Sequence, residues 1–114
     1  MVTYKDIQKL ALSLPETTEK LAWGSPAFYV KDKMFAAVRQ DGKTLAISFP
    51  REERAIYVVT DPKTFPDLEH FKNYDYMAIA MNHIKPSELE ELLRMAWTFR
   101  APSRLAASHQ ELHG

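Results

Sequence analysis

Apolar and polar residues change period several times along the chain, and each change marks an element. Tyr4, Ile7, Leu10, Ala11 and Leu14 recur at helical spacing. Thr3 followed by Asp6 resembles a capping box with Asp in place of the usual Glu, so a first helix is expected from about Tyr4 to Ser13. Pro15 ends it, because the residue before a proline is pushed out of the helical region. Glu16 to Lys20 reads as a polar connector. From Pro26 to Phe49 the period becomes two. Phe28 and Val30, then Met34, Ala36 and Val38, then Leu45, Ile47 and Phe49 alternate with a second set, as in strands with one buried face. Turns at Lys31-Asp32-Lys33 and at Asp41-Gly42 join these into three antiparallel strands, the second using a dipeptide that tolerates positive φ.

Beyond Phe49 the local signals conflict. Pro50 with Glu52 and Glu53 has the order of a helix start, whereas Ala55 to Thr60 is rich in β-branched residues. A short helix from about Arg51 to Val59, stopped at Asp61-Pro62, satisfies most of these signals. Tyr76 to Met81 is short and apolar enough for a strand, and Glu69 to Lys72 is its expected hairpin partner. The last helix begins near Pro86 or Ser87, where Ser87 with Glu90 also reads as a capping box. It carries Leu89, Leu92, Leu93, Ala96 and Phe99 or Arg100 on one stripe, and ends at Ala101-Pro102.

Composition narrows the class. With 114 residues, 46% apolar and 26% charged, the chain suits one globular α+β domain, residues 1–107, followed by a tail over 108–114. Fifteen basic residues balance fifteen acidic ones, so no bulk charge attracts nucleic acid or anionic lipid at long range. The absence of cysteine excludes disulfides, thiolate metal sites and cysteine nucleophiles. No signal-peptide pattern and no membrane-length apolar run is visible, so a cytoplasmic protein is expected, with no membrane partner.

Several short motifs then appear in a recognisable order. Ser13-Leu14-Pro15, Trp23-Gly24-Ser25-Pro26-Ala27-Phe28, Lys33-Met34-Phe35, Asp61-Pro62 with Phe65, and Ala96-Trp97 before Ala101-Pro102 together resemble the MmcQ/YjbR-like family, over about Leu10 to Ala107. The resemblance implies a secretion-chaperone-like fold, α-β(3)-α-β(2)-α, with a mostly antiparallel five-stranded sheet. It also favours the helix at Arg51 to Val59. Members are commonly labelled DNA-binding, on the idea that two hairpin loops act as a double wing, and the family offers no catalytic residue to carry over.

Two surfaces compete as the working one. Lys31 and Lys33 in the first loop, with Arg39 and Lys43 flanking the second, would be the DNA contacts of a double wing. Lysines at hairpin tips also simply keep turns solvated. Trp23, Tyr29 and Phe35, with small Ala37, Ala46 and Ser48 beside them, would form an aromatic sheet face open to a protein partner, a small ligand or a second copy. The segment after Pro102 could equally cover that face. Ser25 lacks the flanking pattern of a nucleophile elbow. His109 and His113 stand four apart without the zincin order, and the carboxylates sit where helix starts favour them, so no catalytic, metal or cofactor site is expected. The expected class is a non-enzymatic binding module.

Overall fold

Thr3 begins the structure in the way its sequence implies. In the computed structural model, which describes residues 2–107, the Thr3 hydroxyl accepts from the Asp6 N–H and the Asp6 carboxylate accepts from the Thr3 N–H at 2.8 Å. The Thr3 N–H foremost, and then the Thr3 hydroxyl, which donates to the same carboxylate at 3.0 Å, hold the Asp6 carboxyl below the usual range. This cap starts helix α1, Tyr4–Leu12, which Ser13 closes ahead of Pro15. The stretch expected as a connector is instead strand β1, Thr17–Ala22. It reads as polar because it is an edge strand. Its core-side residue Glu19 accepts from the Tyr4 hydroxyl and, at 2.7 Å, from the Gln8 amide of α1.

Strands β2 (Ser25–Val30), β3 (Lys33–Val38) and β4 (Thr44–Ser48) follow as a meander, then α2 (Arg51–Thr60), a 3-10 turn (Glu69–Phe71), β5 (Tyr76–Ala80) and α3 (Pro86–Arg100). The sheet is antiparallel in the order β1-β2-β3-β4-β5. The class and the number of strands match expectation, but the order is α-β(4)-α-β-α. Glu69 to Lys72 does not pair with Tyr76 to Ala80; β5 pairs with β4 alone, from Thr44↔Ala80 to Ser48↔Tyr76. The end helix starts at Pro86 on Lys85 with no side-chain cap, so the Ser87 capping box does not form.

One extra residue in β3 decides which side chains face which way. Phe28 pairs with Ala36 while Tyr29 pairs with Met34, leaving Phe35 as a bulge. Without it, the period of two would place Phe35 beside Ala37 on the outer face and Met34 in the core. With it, Phe35 and Ala36 are both fully buried in the main core, and Met34 is only half-buried. The assignment of Phe35 to the open face is therefore overturned.

The main core lies between one sheet face and helices α1 and α3. Trp97 of α3 is its largest fully buried side chain, and its indole N–H donates to Pro15 O at 2.9 Å, tying the last helix to the end of the first. Helix α2 buries no residue completely but anchors through half-buried Tyr57, whose ring meets Phe49 and Phe65 edge-on at 5.2 Å. On the same helix, Arg54 Nη1 donates to the carbonyls of Phe71 (2.8 Å), Tyr74 (3.0 Å) and Tyr76 (2.7 Å), pinning the chain that runs from the 3-10 turn into β5. Residues 103–107 are helical, and Leu105 and Ala106 pack against the main core rather than over the outer face. The tail and its His109 and His113 lie outside the described residues.

Phe35→Ala is expected to lower the unfolding free energy by about 3–5 kcal/mol, as for a fully buried phenylalanine. Arg54→Met, which removes the Arg54 donor from three carbonyls, should cost about 2–3 kcal/mol. Urea denaturation of both variants checks these values; a near-neutral Phe35→Ala would place that ring outside the core.

Candidate trough on the outer sheet face

The second face of the sheet is built from small residues. Ala37, Ala46 and Ala78 lie side by side across β3, β4 and β5 in the outward register, with Ala27 paired to Ala37 from β2. Methyl groups keep this floor low, and larger side chains rise around it. On one side the chain after α2 folds over the β4–β5 end, where Phe71 packs on Ala46 and Ala78 with Leu68 and Tyr76 beside it. His70 and Tyr74 extend that wall, with ring contacts among His70, Phe71, Tyr74 and Tyr76 at 5.6–6.3 Å. On the other side stands Trp23. Between them is an open trough of about 490 Å³ with a mostly apolar lining, within the size range of small-ligand sites.

Trp23 owes its position to the two-residue turn joining β1 to β2. Trp23 and Gly24 have φ +51° and +81°, the type I′ form of a two-residue hairpin turn, which has positive φ at both central residues. Glycine adopts this freely, whereas a bulky side chain there is uncommon and costs about 1–3 kcal/mol. The indole is nevertheless 83% exposed. Such a residue gains nothing for the fold from its side chain, which makes it a candidate for contact with something outside the fold.

The β3–β4 loop lies at the same end of the sheet. The Gln40 side-chain amide donates to Trp23 O at 3.1 Å, linking loop and turn. The Arg39 guanidinium lies over the Phe71 ring, 5.1 Å from its centroid. Asp41 shapes the loop: its carboxylate accepts from the N–H groups of Lys43 (2.8 Å) and Thr44 (2.9 Å) and from the Thr44 hydroxyl (2.9 Å). Those bonds, the Lys43 N–H foremost, with a smaller contribution from the Arg39 charge, hold its carboxyl below the usual range.

Successive turns of a meander fall at opposite ends of its strands, so the expected double wing is divided. Lys31 and Lys33 flank the β2–β3 turn at one end of β3; Arg39 and Lys43 flank the β3–β4 loop at the other. Lys31 pairs with Glu16 at 3.5 Å, and Asp32 in the same turn pairs with Lys20 at 3.5 Å. Of the three aromatic residues expected on the open face, Trp23 lines the trough, Tyr29 lies outward under the Lys20 ammonium at 5.1 Å, and Phe35 is in the core. Phe71, Tyr74 and Tyr76 are the residues that the sequence did not point to. Their only signal was aromatic enrichment in a stretch lacking clear periodicity. Among the described residues no cluster of three His, Asp or Glu could hold a metal, and no helix is long and apolar enough to cross a membrane.

Comparison with known proteins agrees with this architecture. The YjbR family model matches residues 12–99. A crystal structure of the Deinococcus radiodurans protein DR2400, which carries a DUF419 domain, superposes with a TM-score of 0.73 at 21% identity, over 87% of this chain and 78% of that one. At that identity the likeness concerns the fold. No curated protein matches the chain.

Because folding lowers the Asp41 pKa, its contribution to loop order is complete above the ordinary aspartate range and is lost as pH falls through the lower native value. Amide-exchange protection at Gly42, Lys43 and Thr44 should therefore drop on acidification in the native protein and show no such step in Asp41→Ala. A step of equal size in that variant would assign it to another group.

Proposed function

The chain belongs to the YjbR family, which is not a known enzyme family, and from that premise we propose a non-enzymatic binding module that seats a planar, largely apolar group in the outer-face trough. The observation that carries this reading is the exposed, positive-φ Trp23 standing across an alanine floor from an aromatic wall. A flat ring entering between Trp23 and the aromatic wall would rest on the methyl groups of Ala37 and Ala46. It would bury apolar surface on both faces, and stacking would add about 0.5–1.5 kcal/mol per aromatic pair. The wall is held from outside by Arg54, so the trough needs little ordering when filled, which limits the entropic cost of binding.

DNA binding through Lys31, Lys33, Arg39 and Lys43 has weaker support. The four residues do not share a surface, one is ion-paired and another is stacked on Phe71. The net charge is zero. A surface for a protein partner or a second copy would use the same trough, and Trp23 would then act as a projecting anchor.

Trp97 is fully buried, so acrylamide quenching reads Trp23 almost alone. An uncharged naphthalene carboxamide is expected to protect Trp23 from quencher in the native protein. Ala37→Leu, which raises the floor, should abolish that protection, and Trp23→Ala should weaken binding measured by calorimetry about tenfold. Equal binding by Ala37→Leu would remove the trough from consideration. Duplex DNA should show no saturable anisotropy change at about 150 mM salt, as expected for a few scattered phosphate contacts.

A further inference from the structure

At the end of the trough away from Trp23, where β3 and β5 begin and β4 ends, the character of the surface changes. Met34 and Tyr76 line the trough and also a second, smaller recess whose other walls are Lys33, Phe99 and Arg100. The two thus adjoin at Met34 and Tyr76. Arg100, the last residue of α3, is held there from three sides. Its guanidinium lies 5.7 Å from the Tyr76 ring centroid and 5.1 Å from that of Phe99, and its Nε donates to the Ser48 hydroxyl at 2.9 Å. The Ser48 hydroxyl is fully buried and donates in turn to Met34 O at 3.0 Å, which leaves its lone pairs to accept from Arg100. The terminal nitrogens of Arg100 make no hydrogen bond to the described residues.

We propose that this recess binds the anionic group, a carboxylate or phosphate, of the molecule whose apolar body lies in the trough. The inference rests on the trough reading and adds the polarity and direction of its ligand. A guanidinium fixed through Nε presents its remaining N–H groups as a fork suited to an oxyanion, with its orientation already set. Lys33 supplies a second positive charge to the same recess. The nearby carboxylate, Asp75, is committed elsewhere: it accepts from Arg51 N and Nε at 3.1 Å, and those bonds keep it ionised below the usual range. Asp75 also feels the Arg100 charge, so Arg51, Arg100 and Lys33 share this one carboxylate, and the recess, whose lining contains no acid, keeps an excess of positive charge.

The other cation of the trough is a poorer candidate. Arg39 stacks on the wall and shares its loop with Asp41, whose charge offsets it. From Ala37 to Met34 along β3 is about 10 Å at the rise of an extended strand. The ligand is therefore an elongated monoanion or phosphate ester with a flat or aliphatic apolar portion and its charged end about that far from the ring.

A matched pair of probes separates this inference from the reading beneath it. 4-(Naphthalen-2-yl)butanoate and its primary amide share one apolar body and differ in charge. Titrated against the full chain and followed by amide shifts, the acid should bind about tenfold more tightly than the amide, both shifting residues around Ala37 and Ala46. That advantage should vanish in R100Q, shrink in K33Q, which is exposed and not needed for folding, and survive in R39Q. Equal affinity of acid and amide in the native protein, or an unchanged advantage in both R100Q and K33Q, overturns the anionic site while amide binding leaves the trough intact. Failure of both probes to bind overturns the two together. Added inorganic phosphate should compete with the acid and not with the amide; competition with both would place the anion elsewhere.

Discussion

Everything distinctive about this domain depends on a single extra residue in the third strand. The bulge at Phe35 reverses the facing of the residues before it while leaving Ala36 and Val38 in the core. A large ring is thereby withdrawn from the outer face and added to the core under α3, and Met34 takes the outward place. A strand without the bulge would set Phe35 beside Ala37 on the outer face and fill the trough from within. The core is stabilised and the opposite face is emptied by the same local irregularity.

The trough then depends on long-range supports. Its floor is low because Ala37 and Ala46, which line it, belong to a row of alanines that the strand register sets side by side, Ala27, Ala37, Ala46 and Ala78. Its aromatic wall belongs to a segment with little regular structure, which holds its course because Arg54 reaches across from α2 to three of its carbonyls. A carbonyl without a donor is costly, so one guanidinium serving several carbonyls, of which Phe71 O also accepts from the Tyr74 N–H, is an economical way to fix an irregular stretch. The exposed indole opposite comes from a turn whose backbone would suit glycine better, and the fold tolerates it. Rigid walls with one exposed aromatic edge are what a preformed binding site requires.

Local chemistry was the legible part of the fold. The Thr3–Asp6 cap, the Pro15 stop, the apolar stripe of α3 and the Asp41-Gly42 turn are visible because each depends on neighbours within a few residues, and they appear in the structure where expected. Strand β1 was not legible. Its polar residues are satisfied by α1 on one side and by solvent at the sheet edge, so no alternation marks it. The hairpin expected before β5 failed for a related reason: Glu69 to Lys72 has short-range turn character, but the partner of β5 lies some thirty residues earlier, at Thr44 to Ser48. Of the candidate site, Trp23 and the small residues Ala37 and Ala46 were read correctly as outward, whereas Phe71, Tyr74 and Arg100 reach the site only through loop path and helix end.

By itself, then, the sequence determined the class of the fold, its helices, most of its strands and the family to which it belongs, because hydrophobic period, capping and turn chemistry are written into adjacent residues. Only the tertiary structure decided that the two charged hairpin ends are far apart, that Phe35 is core and Met34 is surface, and that an aromatic wall and a clamped arginine converge on one alanine-floored face. Those outcomes follow from strand pairing and from contacts as distant in sequence as that of Arg100 with Ser48. Such contacts are settled by the competition among all elements for one core, and no local window of the chain encodes that competition.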